Sequence, residues 1–135
     1  MTAFDTNVLV RVLLGDDPSQ TAVAEAAFVE HAAGDGVYVP QLVLAALAWV
    51  FRAGYGLERH QIHERLMSLV RTRGVFVEDI ETVLEALQRY RAGAADLGDY
   101  LTLLGASVAG ATPLLSFDRK LARSPGVQLL GTTGT

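Results

Sequence analysis

Five short β-rich runs alternate with stretches of helical periodicity along this chain, and that alternation constrains the fold more than any other feature. The runs fall at residues 2–4, 37–39, 75–77, 113–117 and 127–130. Strand–helix–strand alternation implies an α/β fold, with a mostly parallel sheet of four to five strands flanked by helices on both faces. The spacing of apolar residues predicts helices over 6–14, 19–33, 41–53, 58–71, 80–91 and 96–109, and a short one over 118–122. Gly15-Asp16-Asp17-Pro18 reads as a turn in which Asp17 or Ser19 caps the second helix. The apolar set of that helix is Ala22, Val23, Ala26, Ala27 and Val29. The third helix is apolar nearly all round, from Leu42 to Phe51, so it is either buried or half of an association surface. Ile62, Leu66, Leu69 and Val70 form the core face of the fourth helix; Ile80, Val83, Leu84 and Leu87 form that of the fifth. No repeat or linker interrupts the pattern, so residues 1–130 are expected to form one domain, with a frayed tail over 131–135.

Composition narrows the chemistry. The chain has 135 residues, 50% hydrophobic and 19% charged, and can therefore bury a substantial core. It has no cysteine, which excludes disulfides, thiolate metal sites and cysteine nucleophiles. The N-terminus carries no basic cluster ahead of Asp5, and no apolar run approaches the roughly 20 residues that span a bilayer. These features lead us to expect a cytoplasmic protein with no membrane partner. The net charge of −4 does not itself point to nucleic acid, but its distribution is uneven. Residues 1–50 hold six acids and one base, Arg11, whereas Arg52, Arg59, Arg65, Arg71 and Arg73 cluster in the middle of the chain, as a solvated helix face would.

Four aspartates stand where such a fold opens its ligand crevice. Asp5 ends the first run and Asp118 follows the fourth, so both fall at C-terminal strand ends. Asp96 and Asp99 lie three residues apart at a helix start, where they share a face and the helix dipole stabilises negative charge. Two readings stand side by side: separate helix caps, or a converging carboxylate set. Converging carboxylates repel, and a hard divalent cation, Mg²⁺ or Mn²⁺, is the usual way to hold them ionised. The main chemistry of such a site is phosphodiester cleavage.

Four motifs occur in order: Phe4-Asp5-Thr6-Asn7-Val8-Leu9; Val39-Pro40-Gln41-Leu42-Val43-Leu44, followed by Leu47-Ala48-Trp49-Val50; Ala95-Asp96-Leu97-Gly98-Asp99-Tyr100; and Ser116-Phe117-Asp118-Arg119-Lys120-Leu121. In this order the chain resembles a PIN-domain ribonuclease of the VapC toxin type over nearly its whole length. The resemblance implies a PIN-like three-layer fold and a Mg²⁺-dependent endoribonuclease toxin acting by in-line attack of an activated water. It also implies RNA as substrate (tRNA or rRNA among the candidates), a VapB-type antitoxin and a homodimer. By the same resemblance, Asp5, Asp96 and Asp99 are the metal-binding acids and Asp118 is a rim acid, with Ser116 where the family has threonine. Thr6 and Asn7 are the polar pair that supports the first acid. One departure stands out: the helix after Val39-Pro40 usually carries a glutamate where this chain has Ala46, and no acid lies between Asp35 and Glu58 to replace it. The resemblance therefore implies an impaired nuclease or, alternatively, a catalytically dead PIN-like module that holds a protein or RNA partner.

Other residues carry less. His60 and His63 have a zinc-compatible spacing without a third ligand, and read as surface histidines. Trp49, Phe51 and Tyr55 suit base stacking or, more simply, core and dimer packing. Arg52, Arg119 and Lys120 are the expected phosphate contacts. An aspartyl phosphatase of the haloacid-dehalogenase type also begins with an Asp after its first strand, but it needs a second acid two residues on, where Asn7 stands. Neither a phosphate-binding G-x-x-x-x-G-K-[ST] loop nor a G-x-S-x-G elbow is present.

Overall fold

The computed structural model describes residues 1–131; the tail expected to fray lies, apart from Gly131, outside the described residues. Five strands and six α-helices follow the predicted order: β1 (Thr2–Ala3), α1 (Thr6–Leu14), α2 (Pro18–Ala33), β2 (Val37–Val39), α3 (Gln41–Ala53), α4 (Arg59–Arg71), β3 (Val75–Val77), α5 (Ile80–Ala92), α6 (Leu97–Val108), β4 (Leu114–Ser116) and β5 (Val127–Leu129). All strand pairs are parallel. The strands divide into a three-stranded sheet of order β1-β2-β3 and a β4-β5 pair. The predicted helix over 118–122 is instead a turn followed by a 3-10 segment, Leu121–Arg123. No helix among the described residues is long and apolar enough to cross a membrane.

Each consecutive pair of strands in the main sheet is bridged by two helices, and the buried faces of those helices build the core. β2 lies in the middle, with Val37 and Val39 fully buried. α3 contributes Leu44, Leu47, Ala48 and Phe51, and α4 contributes Ile62, Leu66, Leu69 and Val70, as its periodicity predicts. Two helices are rotated from the expected face. On α5 the buried stripe is Val83, Ala86, Leu87 and Tyr90, which leaves Ile80 and Leu84 exposed. On α2 the inward face runs through Ala24, Ala27, Phe28 and Ala32, while Val23 and Val29 face out at 72% and 65% exposure. Phe28 decides that rotation: its ring meets Phe4 edge-on at 6.0 Å, just where β1 ends. His31, one turn further along α2, also meets Phe4 edge-on at 5.8 Å.

Gly74 closes the turn into β3 with φ +87°, and its carbonyl accepts the Val37 N–H at 2.8 Å. A Cβ at this position would run into the Ala32 backbone. Gly74→Ala combines left-handed strain with a backbone clash, so we expect a loss on the order of 2–4 kcal/mol, measured as the fall in ΔG of urea unfolding.

Candidate active site

The acids sit at the ends of elements whose backbone they also cap. Asp5 leaves β1 in extended conformation, caps α1, and accepts the Thr6 N–H at 2.8 Å. Asp96 and Asp99 form a capping box at the start of α6, in which Asp99 accepts the Asp96 N–H at 3.2 Å. Asp118 accepts the N–H groups of Lys120 and Leu121 at 2.8 and 3.3 Å, and its own N–H donates to the Ser116 hydroxyl at 3.0 Å. The capping reading is thus realised at Asp5 and at the Asp96–Asp99 pair, whereas Asp118 holds a turn; none of this excludes the second reading.

Three of the four acids share one electrostatic neighbourhood. The Asp99 carboxyl is raised above the ordinary carboxylate range, first by burial and then by the negative charges of Asp96 and Asp118; the hydrogen bond from the Asp96 backbone partly offsets both. Asp5 lines a cleft of about 400 Å³ with Thr6, Asn7, Arg11, Val50 and Tyr55. Among the described residues, no group of three or more Asp, Glu or His side chains stands close enough to hold a metal ion.

α3 connects the two groups. The Cβ of Ala45 faces Gly98 between Asp96 and Asp99, in ordinary van der Waals contact with any Cβ built there, so the first turn of α6 lies against α3. The half-buried Ala46 is the next residue along. Arg52, expected to meet phosphate, instead ion-pairs with Asp96 at 3.2 Å, both groups about half exposed. Arg119 is exposed.

Residues that sequence reasoning passed over hold the Asp96 turn. Arg59 donates to the carbonyls of Tyr90 and Ala95, both at 2.8 Å, and its guanidinium lies 4.3 Å over the Tyr90 ring. The buried Tyr100 hydroxyl accepts the Ala95 N–H at 3.3 Å. Gly93 leaves room for that hydroxyl, since a Cβ there would overlap it. A single charge in an arginine-rich helix carries no sign of such a role; the pattern Arg59…Tyr90…Ala95 is long-range and becomes legible only in the fold. Arg65 is likewise structural, donating to the Leu13 carbonyl at 3.0 Å.

The remaining candidates separate cleanly. His60 and His63 line a cleft with Arg71 and Arg91, where burial first and then the Arg91 and Arg71 charges lower the His63 pKa, which disfavours a charged imidazole. Phe51 is core, Trp49 is 59% exposed, and the Tyr55 hydroxyl donates to Asp16 at 2.7 Å while accepting from Arg11 at 3.2 Å.

With this geometry in view, comparison with known proteins is informative. A family model described as PIN domain matches residues 3–127. A protein of Aquifex aeolicus (strain VF5) named VapC ribonuclease is 26% identical over 125 residues, which cover 91% of this chain and 91% of that protein.

The raised Asp99 carboxyl has a thermodynamic consequence. A group whose folded pKa is raised adds stability below its unfolded value, about 3.9 for aspartate, and that stability is lost as pH rises through the folded value. The ionised Asp99 therefore destabilises the metal-free fold at neutral pH. Asp99→Asn, which keeps an oxygen for the Asp96 N–H, is expected to raise the melting temperature at pH 7 in chelator, and the gain should vanish near pH 4; scanning calorimetry at both pH values checks this.

Proposed function

Because the chain belongs to the PIN domain family, we propose that it is a ribonuclease of the VapC type, the toxin of a type II toxin–antitoxin pair, working on RNA phosphodiesters. What carries this reading is the match of the PIN family model to residues 3–127, together with the Asp96–Asp99 capping box, which sets two carboxylates on the first turn of one helix. The donor set consists of carboxylate oxygens without cysteine or histidine, and in charge and hardness it suits Mg²⁺, with Mn²⁺ as a substitute. Asp96 and Asp99, with Asp5, would hold the ion. When bound, it would supply water activation and stabilisation of the leaving oxygen.

The protein's own residues do the rest. The Asp96–Asp99 capping box fixes the relative position of two carboxylates. The Ser116 hydroxyl and the two backbone donors on Asp118 hold the rim acid in place. Thr6 and Asn7 border the Asp5 cleft, and the Thr6 backbone N–H holds the Asp5 carboxylate at 2.8 Å. Arg52 has to leave Asp96 for that carboxylate to take a cation or for the guanidinium to meet a phosphate. The reading extends to a VapB-type antitoxin as partner and to a homodimer. The exposed apolar residues of α3, Leu42 at 80% and Trp49 at 59%, lie opposite its core face and support association there.

Ala46 favours a second reading, a PIN-like module without catalysis. The missing carboxylate lowers the negative charge available to a cation, and Arg52 neutralises part of what remains. Cleavage of a structured RNA panel with Mg²⁺ by this chain and by Ala46→Glu, side by side, separates the readings. We expect Ala46→Glu to cut roughly 10–100-fold faster and to bind Mn²⁺ more tightly by calorimetry. Absence of cleavage by both, with no metal affinity in either, would establish the binding module.

A further inference from the structure

A cleft of about 460 Å³ opens between the end of α5 and the turn after β4, and the acid site does not account for it. Its rim carries three cations, Arg89, Lys120 and Arg123, and no acid lines it. Arg89 is shared with Glu85 one turn back at 3.4 Å, an exposed pair of little net worth. Lys120 and Arg123 enter no salt bridge among the described residues. Between the cations the lining is small or apolar, with Gly93, Ala94 and Pro125. The cleft is tied to the acids through two of its lining residues, and the Lys120 N–H donates to Asp118 at 2.8 Å. Tyr100, on its wall, follows Asp99, and Lys120 stands two residues after Asp118.

We propose that this cleft receives the phosphodiester backbone of a single RNA strand and leads it to the Asp96, Asp99 and Asp118 carboxylates. A cationic rim over a small apolar floor matches a polymer that alternates phosphate with sugar and base. An acidic peptide would use the rim but leave the floor without a role. The position also resolves an electrostatic difficulty: a polyanion approaching three carboxylates is repelled, and cations immediately beside them supply the opposing attraction. Lys120 rather than its neighbour Arg119 lines the cleft, which divides a pair that the sequence presents as equivalent. This inference rests on the ribonuclease reading for its choice of ligand, so its test excludes catalysis.

Binding of a fluorescein-labelled, mixed-sequence 12-nucleotide RNA to the full chain is measured by anisotropy in EDTA, across a salt series. For Lys120→Ala/Arg123→Ala we expect a dissociation constant roughly 10–30-fold higher near 0.1 M salt, and a log–log salt slope shallower by about 1.4, since each lost phosphate contact removes about 0.7. Lys120→Arg/Arg123→Lys should retain binding, which shows that charge rather than folding is read. Arg71→Ala/Arg91→Ala removes two cations from the His63 cleft and should change the affinity less than threefold. Equal loss in both double alanine variants would overturn the proposal in favour of bulk charge, and unchanged binding in Lys120→Ala/Arg123→Ala would overturn it outright. Binding of a glutamate-rich peptide with the same sensitivity, and no RNA binding, would overturn it in favour of an acidic protein partner. If the chain never cleaves RNA with Mg²⁺ yet the Lys120/Arg123 effect on metal-free binding holds, the ribonuclease reading fails and the cleft assignment stands.

Discussion

The position of the Asp96 carboxylate depends on a guanidinium that belongs to neither strand nor acid cluster. Arg59, at the start of α4, reaches the carbonyls of Tyr90 and Ala95, one at the end of α5 and one just before α6, with both bonds at 2.8 Å. Those carbonyls bracket the turn at 93–95, which has no helical or strand hydrogen bonds of its own. Charge-assisted bonds of this kind are worth about 1.5–3 kcal/mol, and the cation also lies on the Tyr90 ring, so the turn is bound more firmly than an ordinary surface loop. Tyr100 completes the fixation from the other side through the Ala95 N–H. The first turn of α6, with Asp96 and Asp99 on it, is thereby referred to α4 and α5 and not to the sheet. The remaining acids are referred to strand ends: Asp5 through Phe4, buried against Phe28 and His31, and Asp118 through the Ser116 hydroxyl.

This division explains what the sequence made legible. Strand order, helix order and the acid at each strand end follow from local signals: a β-branched run, a cap residue, a 3.6-residue period. The buried face of α4 was readable because its charges and apolar residues separate cleanly. The face of α2 was not, because its many alanines give no gradient and the ring of one Phe28 sets the rotation through a partner more than twenty residues away. The turn before Asp96 is the extreme case. Arg59, Tyr90, Gly93 and Tyr100 each look unremarkable in sequence, and their roles arise from contacts between three helices. The relation of Asp5 to the other acids was illegible for a further reason: capping and ligand binding ask for the same residue at the same place.

Charge balance ties these observations together. Asp99 is half-buried beside the charges of Asp96 and Asp118, and both effects favour its neutral form. In this conformation the Asp96 charge is itself paired, with Arg52 on the last turn of α3 at 3.2 Å. On the proposed reading, Arg52 and a divalent cation would compete for the same carboxylate, and the exposure of the pair makes the guanidinium easy to displace, since exposed ion pairs are worth at most about 1 kcal/mol. A glutamate at 46, on the same helix and one residue beyond the contact with Gly98, would tilt that competition toward the cation by adding negative charge that Arg52 alone cannot neutralise. On the proposed reading, Ala46 would move the balance the other way, and one internal cation would suffice for more of the site's charge. Its effect would then fall on the affinity of the acids for an external ion before it fell on any chemical step.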